Sequence, residues 1–598
     1  MPLYEAPLRD MRFVMMELFG TDAIRRLPGC EEVSDDLITA IMNESAKFCQ
    51  NVLLPLNRTG DEEGCTHHGN GVVTTPKGFK EAYQQYVENG WAGLSCDPKY
   101  GGQGLPEVVT LFLEEMVCST NLSFGLYPGL TRGAIQLLST HGSDALKDFY
   151  LPRMISGVWS GTMCLTEPHC GTDLGLIRTK AVPQEDGSYR LTGTKIFISS
   201  GEHDLTENIV HFVLARTPGG PAGIKGISLF LVPKFMPNPD GTLGERNGVT
   251  CASIEHKMGI KASATCVMNF DDAKGFLVGE LHHGVSSMFV MMNSERLAVG
   301  SQGLGISEIS YQNALAYAKD RLQSRALRGT KHPEKPADPI LVHADVRKML
   351  LTMKALTEGC RMLSFWIAFQ NDTSHRATDA EERQNADDLM QLMTPIVKAF
   401  LTDVGFQVAN IGVQVYGGHG YIREWGMEQY ARDVRIAQIY EGTNGIQAMD
   451  FVGRKIPAAA GRYLRQYFHP MLKFIEEHEN HPDLKDMIPA LSKAVNRLQQ
   501  ITLLVAGRSM GNPDEAGAAA TDLLRAYAIV TLAYLWARAA KVAAEKVGGG
   551  EDTFYRSKLE TARFYYDKIL PETAALFTSL YAGGKSVHGF SNECFGPF

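Results

Sequence analysis

The sequence lacks the cysteine spacing that a disulfide framework or a zinc site requires. Its 11 cysteines are scattered over 598 residues, and none forms a Cys-x-x-Cys pair. Disulfide-rich secreted domains and zinc modules both show short, regular spacings. Cys164 and Cys170 lie close together, and Cys65 precedes His67 and His68, but no zinc-ligand pattern surrounds either group. The pattern predicts reduced thiols in a cytoplasmic protein, and no metal site.

An excess of positive charge is also missing. Lysine and arginine number 58, aspartate and glutamate 67, and the net charge at pH 7 is −9. Proteins that bind nucleic acid through broad phosphate neutralisation have the opposite balance. We therefore expect no nucleic-acid partner for the chain as a whole.

Targeting and membrane-spanning segments are not evident in the sequence. Residues 1–20 carry acids and arginines among apolar residues, without the basic start, apolar run and cleavage site of a signal peptide. The longest apolar helix candidate near the C-terminus, residues 526–537, is too short to cross a bilayer. These features predict a cytoplasmic protein with no integral membrane segment.

The spacing of apolar residues divides the chain into helical and β segments. Residues 33–159 have helical spacing, with Ser34 or Asp35 as a candidate cap. From 160 to 280 the period is two, and short strands alternate with turns, which favours a small antiparallel barrel or sandwich. Within it, residues 188–198 are interpreted as a strand, a tight turn and another strand.

Helical spacing returns near residue 281 and continues to the C-terminus. The amphipathic helices of the tail must bury a face, so the tail should dock on the main body or on a partner. The expected fold class is α+β. The expected segments are an N-terminal extension (1–32), an N-terminal α domain (33–159), a middle β domain (160–280), a C-terminal α domain (281–456) and an additional helical domain (457–598).

The motif with the clearest chemistry is residues 439–447, IYEGTNGIQ. Glu441 stands beside Gly442 and Thr443, just before a segment that could begin a helix. A carboxylate fixed on such a turn and partly shielded from water can act as a general base. The alternative interpretation is an ordinary acid at a helix start, favoured by the helix dipole.

Five further blocks accompany this motif: GTMCLTEP (161–168) with GTD (171–173), KIFISSG (195–201), KMGIKAS (257–263) with FDD (270–272), ERLAVG (295–300) with Arg321, and QVYGGHGY (414–421). With the order helices, β domain, helices, they resemble the acyl-CoA dehydrogenase family of flavoproteins. The resemblance implies that the middle β domain is antiparallel and that the C-terminal α domain is a four-helix bundle. It also implies FAD as the cofactor.

The resemblance assigns cofactor positions residue by residue. The turn around Gln414 corresponds to one that reaches the flavin of the neighbouring subunit, where glycines allow close approach to phosphate. Arg321 corresponds to a residue that pairs with the flavin pyrophosphate. The full set of implied cofactor contacts is Met163, Leu165, Thr166, Gly171, Thr172, Phe197, Ser199, Arg321, Gln414, Gly417, Gly418 and Thr443.

The resemblance also implies the reaction, which is α,β-dehydrogenation of an acyl-CoA thioester to the trans-2-enoyl-CoA. Glu441 would remove the α proton while the β hydrogen leaves as hydride to the flavin. The Glu441 backbone N–H and a flavin hydroxyl would hold the thioester oxygen. The implied substrate contacts are Thr172, Asn293, Arg296, Tyr440 and Gly442.

Large members of this family with such a helical tail include the very-long-chain enzymes and a bacterial group. Residues 1–13 and 439–447 are most similar to that bacterial group, which includes 3-methylmercaptopropionyl-CoA dehydrogenases. A thioether sulfur is close to a methylene in shape and polarity, and one methylene gives only ~1–3 kcal/mol of discrimination. We therefore expect 3-methylmercaptopropionyl-CoA, short- to medium-chain acyl-CoA, or both, as substrates. Electron-transfer flavoprotein is the expected acceptor, and a tail that caps the tetramer face favours a homodimer.

Three alternatives stay open at this point. One is a medium- or long-chain fatty acyl-CoA dehydrogenase of β-oxidation. Another is an acyl-CoA oxidase, which would share the fold and the base but admit oxygen to the reduced flavin. The third is a flavin-containing, DNA-associating protein of alkylation response. It would need a basic face on the tail, whose arginines and lysines are mixed with acids.

Overall fold

The computed structural model describes residues 2–596 and shows the expected order of helices, β domain and helices. The helices before the main sheet are α1 Leu8–Arg12, α2 Thr21–Arg25, α3 Asp35–Phe48, α4 Leu54–Glu63, α5 Phe79–Glu88, α6 Glu107–Thr120, α7 Leu122–His141 and α8 Asp144–Ile155. The strands are β1 Thr66–His67, β2 Val73–Thr74, β3 Trp159–Cys164, β4 Lys180–Pro183, β5 Tyr189–Ser199, β6 Asn208–Arg216, β7 Ile227–Pro233, β8 Phe235–Pro237, β9 Leu243–Arg246, β10 Val249–Ile254 and β11 Thr265–Val278. The later helices are α9 Gly284–Asp320, α10 Ala344–Arg376, α11 Ala380–Tyr416, α12 Met427–Val434, α13 Asn444–Asp450, α14 Arg462–Glu477, α15 Met487–Gly511, α16 Asp514–Ala544, α17 Asp552–Phe564, α18 Thr573–Ala582 and α19 Lys585–His588.

The chain divides into two units by its internal contacts. One comprises residues 44–298, and the other joins residues up to 43 with residues from 299 onward. The five-segment division expected from the sequence remains a prediction.

The main sheet of the first unit closes on itself. Strands β11, β5, β4, β6 and β7 pair in a ring, because β7 pairs with both β6 and β11. This closure agrees with the small barrel that the period of two indicated. The sheet is mostly antiparallel, but β3 runs parallel to β6, from Trp159 opposite Asn208 to Cys164 opposite Val213. Parallel pairing needs a long crossover, which residues 165–207 supply.

The hairpin expected within residues 188–198 is wrong. The segment forms one continuous strand, β5, which pairs with β11 and β4. Gly193 lies inside the strand, where an added Cβ would come within 2.4 Å of the Thr179 hydroxyl. The glycine therefore reflects close packing of two chain segments, which local sequence patterns do not distinguish from a turn.

Two buried histidines lie in the same unit. His203 and His211 are 2% and 0% exposed, and they hydrogen-bond the hydroxyls of Ser160 and Thr162 at 3.1 and 2.8 Å. Burial, with Lys234 as the next cause, lowers the pKa of each to about 3. Both rings are therefore neutral in the folded protein at neutral pH.

This burial predicts acid sensitivity. Below pH 6.5 the two histidines bind protons in the unfolded chain, but in the folded protein they stay neutral down to about pH 3. The free energy of unfolding therefore falls as the pH drops from 6.5 toward 3. At pH 5.5 the two histidines together lower the free energy of unfolding by about 3 kcal/mol. We expect the unfolding midpoint of residues 44–298 to fall accordingly between pH 7.5 and 5.5. The double variant His203→Asn/His211→Asn should flatten this dependence, and an unchanged slope would contradict the assignment.

In the second unit the tail docks on the main body. The buried Trp536 of α16 donates its indole N–H to the Ala355 carbonyl of α10 at 3.1 Å. At Gly359 of α10, an added Cβ would meet Leu532 at 2.8 Å, so the two helices approach closely. The tail thus buries its apolar faces within this chain, one of the two outcomes expected.

A buried charge cluster fixes the N-terminal segment in this unit. Asp10 of α1 accepts hydrogen bonds from Arg361 of α10 and Lys558 of α17. Arg361 also donates to Glu308 at 2.5 Å, and Lys558 to Glu358 at 2.6 Å. All five residues are less than 9% exposed. We call them the Asp10 cluster.

Within residues 2–596, two helices have the length and apolar composition needed to cross a membrane. They span 380–421 and 514–544, so the second is longer than the apolar stretch expected at 526–537. In their most apolar windows, 67% and 78% of the residues are buried inside the protein. Such burial is typical of core helices.

Candidate active site

Glu441 lies on a turn with an unusual backbone. Its φ is 56°, and that of Gly442 is 83°, so two consecutive residues adopt the left-handed conformation. A left-handed glutamate costs about 1–3 kcal/mol, and such strain persists only where the surrounding structure enforces it. Thr443 follows as the N-cap of α13, and its hydroxyl accepts the Ile446 N–H at 3.3 Å. The Glu441 side chain is partly exposed, as a base that receives a substrate proton must be.

The middle of α11 enforces this turn. Lys398 donates from Nζ to the Gly442 carbonyl at 2.8 Å and to Asn444 Oδ1 at 2.9 Å. The Asn444 amide in turn donates to the Ala399 carbonyl at 3.1 Å and to Asp403 at 2.8 Å. The turn is thereby tied to the helix by side-chain hydrogen bonds.

Further groups hold the two sides of the turn. Gln447, which is 0% exposed, donates from Nε2 to the Glu441 carbonyl at 3.2 Å. Tyr440 donates its hydroxyl to Gln302 of α9. Tyr440 is thus anchored beside the candidate base, and its place in substrate binding remains a prediction.

The sequence reasoning missed Lys398, Asn444 and Gln447. Lys398 did carry a signal, because it interrupts the apolar run Ile-Val-Lys-Ala-Phe-Leu (396–401). A buried lysine must find hydrogen-bond partners, but the sequence does not name them.

In the first unit the first two motif blocks lie together. The Thr166 carbonyl accepts the Ile196 N–H at 2.9 Å, and the Leu165 carbonyl accepts Lys195 Nζ at 3.0 Å. The segment directly after β3 therefore lies against β5 just before Phe197. Met163, Leu165, Thr166 and Ser199 are all partly buried.

Phe197 is an exposed aromatic on a strained backbone. Its φ is 58° and it is 59% exposed, although it lies within a sheet. Three residues later Ser200, with φ 56°, is buried, and its hydroxyl has no hydrogen-bond partner within residues 2–596. An exposed ring, a strained strand end and an unsatisfied hydroxyl are the features expected where a planar ligand binds.

The loop after Thr166 brings three possible metal ligands together. Atoms of Glu167, His169 and Cys170 lie within 4.8 Å of one another. The Glu167 carboxylate, however, already accepts Lys195 Nζ at 2.8 Å, the Thr179 hydroxyl at 2.6 Å and two backbone N–H groups. Burial would raise the pKa of Glu167, but Lys195, together with the hydrogen bonds from Thr179 and the Arg178 N–H, outweighs it and lowers the pKa. The Lys195 ammonium thus takes the position beside Glu167 that a metal ion would need, and we interpret Glu167, His169 and Cys170 as a structural group.

The remaining predicted residues of the first unit are spread out. Gly171 and Thr172 are exposed on the loop that follows Cys170. Arg296 and Asn293 lie on α9, where Arg296 is 6% exposed and donates to Asn293 Oδ1 at 3.5 Å. The Thr166–Phe197 region and the α9 pair remain a predicted cofactor and substrate surface.

Gln414, Gly417 and Gly418 form an exposed turn at the end of α11. Gly417 has φ 60°, and an added Cβ at either glycine would meet no described atom within 4 Å. Tyr416 stacks on Tyr317 of α9 with ring centres 4.0 Å apart, four residues before the exposed Arg321. The turn thus lies near the Arg321 end of α9.

The two turns attached to α11 are far apart within this chain. Lys398, which holds the Glu441 turn, and Gln414 are 16 residues apart on one helix, or about 24 Å along its axis. The structure therefore groups Arg321 with the Gln414 turn, and Glu441, Gly442 and Thr443 with the middle of α11.

Comparisons with known proteins agree along the whole chain. Family profiles match for the acyl-CoA dehydrogenase N-terminal domain (38–158), middle domain (162–273) and C-terminal domain (282–456). The profile "Acetyl-CoA dehydrogenase C-terminal like" matches 467–590. The chain is 42% identical to the 3-methylmercaptopropionyl-CoA dehydrogenase of Ruegeria pomeroyi, over 98% of this chain and 99% of that protein.

Two further comparisons extend this likeness. A butyryl-CoA dehydrogenase of Syntrophomonas wolfei is 34% identical over 99% of both chains. The structure of an acyl-CoA dehydrogenase from Bacillus anthracis, complexed with FAD, has a TM-score of 0.73 at 20% identity and covers 94% of this chain and 90% of that one. The last likeness shows the fold alone. By its family profiles and its full-length relatives, the chain belongs to the acyl-CoA dehydrogenase family.

Proposed function

We propose that this protein catalyses FAD-dependent α,β-dehydrogenation of an acyl-CoA thioester, with Glu441 as the base. The observation that carries the proposal is the left-handed, helix-anchored turn that presents the Glu441 carboxylate at the position of the family motif. During the reaction the α C–H bond breaks, and the proton passes to the Glu441 carboxylate. The electron pair of that bond forms the α,β double bond as the β hydrogen leaves. The Glu441 backbone N–H would stabilise the enolate-like charge that develops on the thioester oxygen.

The residues fit the cofactor. The exposed Phe197 ring, the Thr166 backbone and the unsatisfied Ser200 hydroxyl would border a planar flavin. Arg321 would pair with the flavin pyrophosphate, and the open Gly417–Gly418 turn would approach the phosphate groups of the partner subunit's cofactor. When bound, FAD accepts the β hydrogen as hydride.

We propose 3-methylmercaptopropionyl-CoA and short- to medium-chain acyl-CoA as substrates. Support comes from the relatives, because one is named for the thioether substrate and another for butyryl-CoA. A thioether in place of a methylene changes shape and polarity little, so one pocket can accept both.

An anaerobic substrate series tests this proposal. We expect 3-methylmercaptopropionyl-CoA, butyryl-CoA and pentanoyl-CoA to reduce the flavin with kcat/KM values within about 200-fold of one another, the range that one methylene sets. Palmitoyl-CoA serves as the long-chain comparison and should react more slowly. Fastest reduction by palmitoyl-CoA would favour the long-chain alternative instead.

The electron acceptor and the assembly belong to the same proposal. Electron-transfer flavoprotein is the proposed acceptor, and peroxide formation in air, measured against reduction of that acceptor, separates it from the oxidase alternative. We propose a cytoplasmic homodimer in which the exposed Gln414 turn contacts the cofactor of the partner subunit. The open space beside Gly417 and Gly418 supports this arrangement.

A further inference from the structure

Lys398 is a buried cation in an apolar helix. It is 0% exposed, and its neighbours on α11, Val397 and Ala399, are 1% and 2% exposed. Removing an ammonium group from water is costly, so its retention calls for a specific role. The hydrogen bonds of its Nζ lead to the Glu441 turn.

The ammonium group grips the turn at two points. One is the Gly442 carbonyl at 2.8 Å, the first carbonyl after that of Glu441, and the other is Asn444 Oδ1 at 2.9 Å. Asn444 is itself fixed, since its amide donates to Thr402 at 3.0 Å and to Asp403 at 2.8 Å. Lysine and asparagine together form a rigid clamp between α11 and the start of α13.

The clamp determines the direction of the backbone at Glu441. In a trans peptide the C=O and the next N–H point in opposite directions, so holding a carbonyl also orients the N–H that follows it. Lys398 holds the Gly442 carbonyl, and Gln447 holds the Glu441 carbonyl at 3.2 Å. Both peptide planes that follow Glu441 are therefore fixed, directly after a residue whose own φ is 56°.

We infer that Lys398, with Asn444, is the positioning residue that aims the Glu441 carboxylate at the substrate α carbon. This inference rests on the proposed role of Glu441. Lys398 does not contact the reacting atoms in this scheme. It acts through the turn, and it lowers the barrier because proton transfer demands a fixed distance and angle between base and C–H bond.

The test compares Lys398→Met with Lys354→Met in the flavin-loaded enzyme. Lys354 is also a largely buried lysine of the same unit and pairs with Glu358, away from the turn. For Lys398→Met we expect kcat with butyryl-CoA to fall about 100-fold with KM changed less than about threefold, as misplacement of a catalytic group predicts. The rate at which butyryl-CoA exchanges its α hydrogen in D₂O, read by mass spectrometry, should fall in parallel. Lys354→Met should keep both rates per folded enzyme.

Asn444→Ser is the second variant, for the case in which Lys398→Met does not fold. It removes one of the two grips and should lower kcat and α-hydrogen exchange by about tenfold, with flavin content unchanged. Wild-type kcat and exchange in Asn444→Ser or in folded Lys398→Met would overturn the inference. Equal losses in Lys354→Met would also overturn it, by showing a general effect on folding.

The Glu441→Gln variant separates the two proposals. If it is inactive while Lys398→Met is normal, Glu441 stands as the base and only the positioning role fails. If Glu441→Gln exchanges the α hydrogen at the wild-type rate, the proposed function of Glu441 itself fails.

Discussion

Replacing Glu441 by glutamine is expected to abolish reduction of the flavin by acyl-CoA while leaving both ligands bound. Glutamine has nearly the same shape and can make hydrogen bonds, but it cannot accept the α proton. General-base catalysis contributes about 10²–10⁴-fold to rate, so the loss should be at least about 100-fold. The measurement is anaerobic flavin reduction by butyryl-CoA in a stopped-flow instrument, with flavin content and substrate affinity determined separately.

The matched control is Glu545→Gln, an exposed carboxylate at the end of α16 that pairs with Lys541. It should reduce the flavin at the wild-type rate. Near-normal reduction in Glu441→Gln would place the base elsewhere. A loss confined to flavin binding would show that the Glu441 turn binds the cofactor and does not remove the α proton.

Asp10→Ala is expected to lower the free energy of unfolding of the second unit by about 3–5 kcal/mol, the usual cost of removing one partner from a buried ion pair. Without Asp10, Arg361 keeps its contact with Glu308 and Lys558 its contact with Glu358, but the two buried cations lose the anion that they share. Urea denaturation measures the loss. Glu551→Ala removes an exposed partner of Arg9 and, as the control, should cost less than about 1 kcal/mol.

A double variant sharpens the assignment. In Asp10→Ala/Lys558→Met, Arg361 keeps Glu308 and Lys354 keeps Glu358, so each remaining cation has an anion. Much of the lost stability should return, and a double variant as unstable as Asp10→Ala alone would contradict the charge-balance explanation.

The Asp10 cluster also has a defined pH dependence. Burial would raise the pKa of Asp10, but Lys558 and Arg361 outweigh it and lower the pKa from 3.8 to about 2. A carboxyl with a depressed pKa stabilises the fold fully above 3.8, and this stability is lost as the pH falls toward 2. The contribution of about 2 kcal/mol should therefore disappear in that window and be absent from the Asp10→Ala variant.

The spacing of apolar residues predicted the type and order of the secondary-structure elements. The order of helices and strands, the small barrel and the docking of the tail all follow from periodicity and from the need to bury apolar faces. Gly193 was misjudged because a glycine at a close approach and a glycine in a turn look alike locally. The Asp10 cluster was not predicted, since pairing between distant residues leaves no local pattern.

In the candidate site, too, some features could be predicted from the sequence and others could not. Family motifs indicated Glu441 and the flavin-side residues, because their chemistry is tied to short sequences. The left-handed backbone at Glu441 and Phe197 was not predicted, because neither residue type favours it and only the folded surroundings enforce it. Lys398 lies 43 residues before Glu441 in the sequence, so only the structure relates the two.

The ion pair between Asp10 and Lys558 has a consequence for synthesis on the ribosome. The two residues are 548 positions apart, so at about 5–20 residues per second Lys558 emerges roughly half a minute to two minutes after Asp10. During that interval Asp10 on α1 has no contact with Lys558 on α17. Residues 44–298, which form one continuous stretch, are synthesised completely before Lys558. We expect residues 44–298 to fold first, and Asp10 to find its partner on α17 only after Lys558 has emerged.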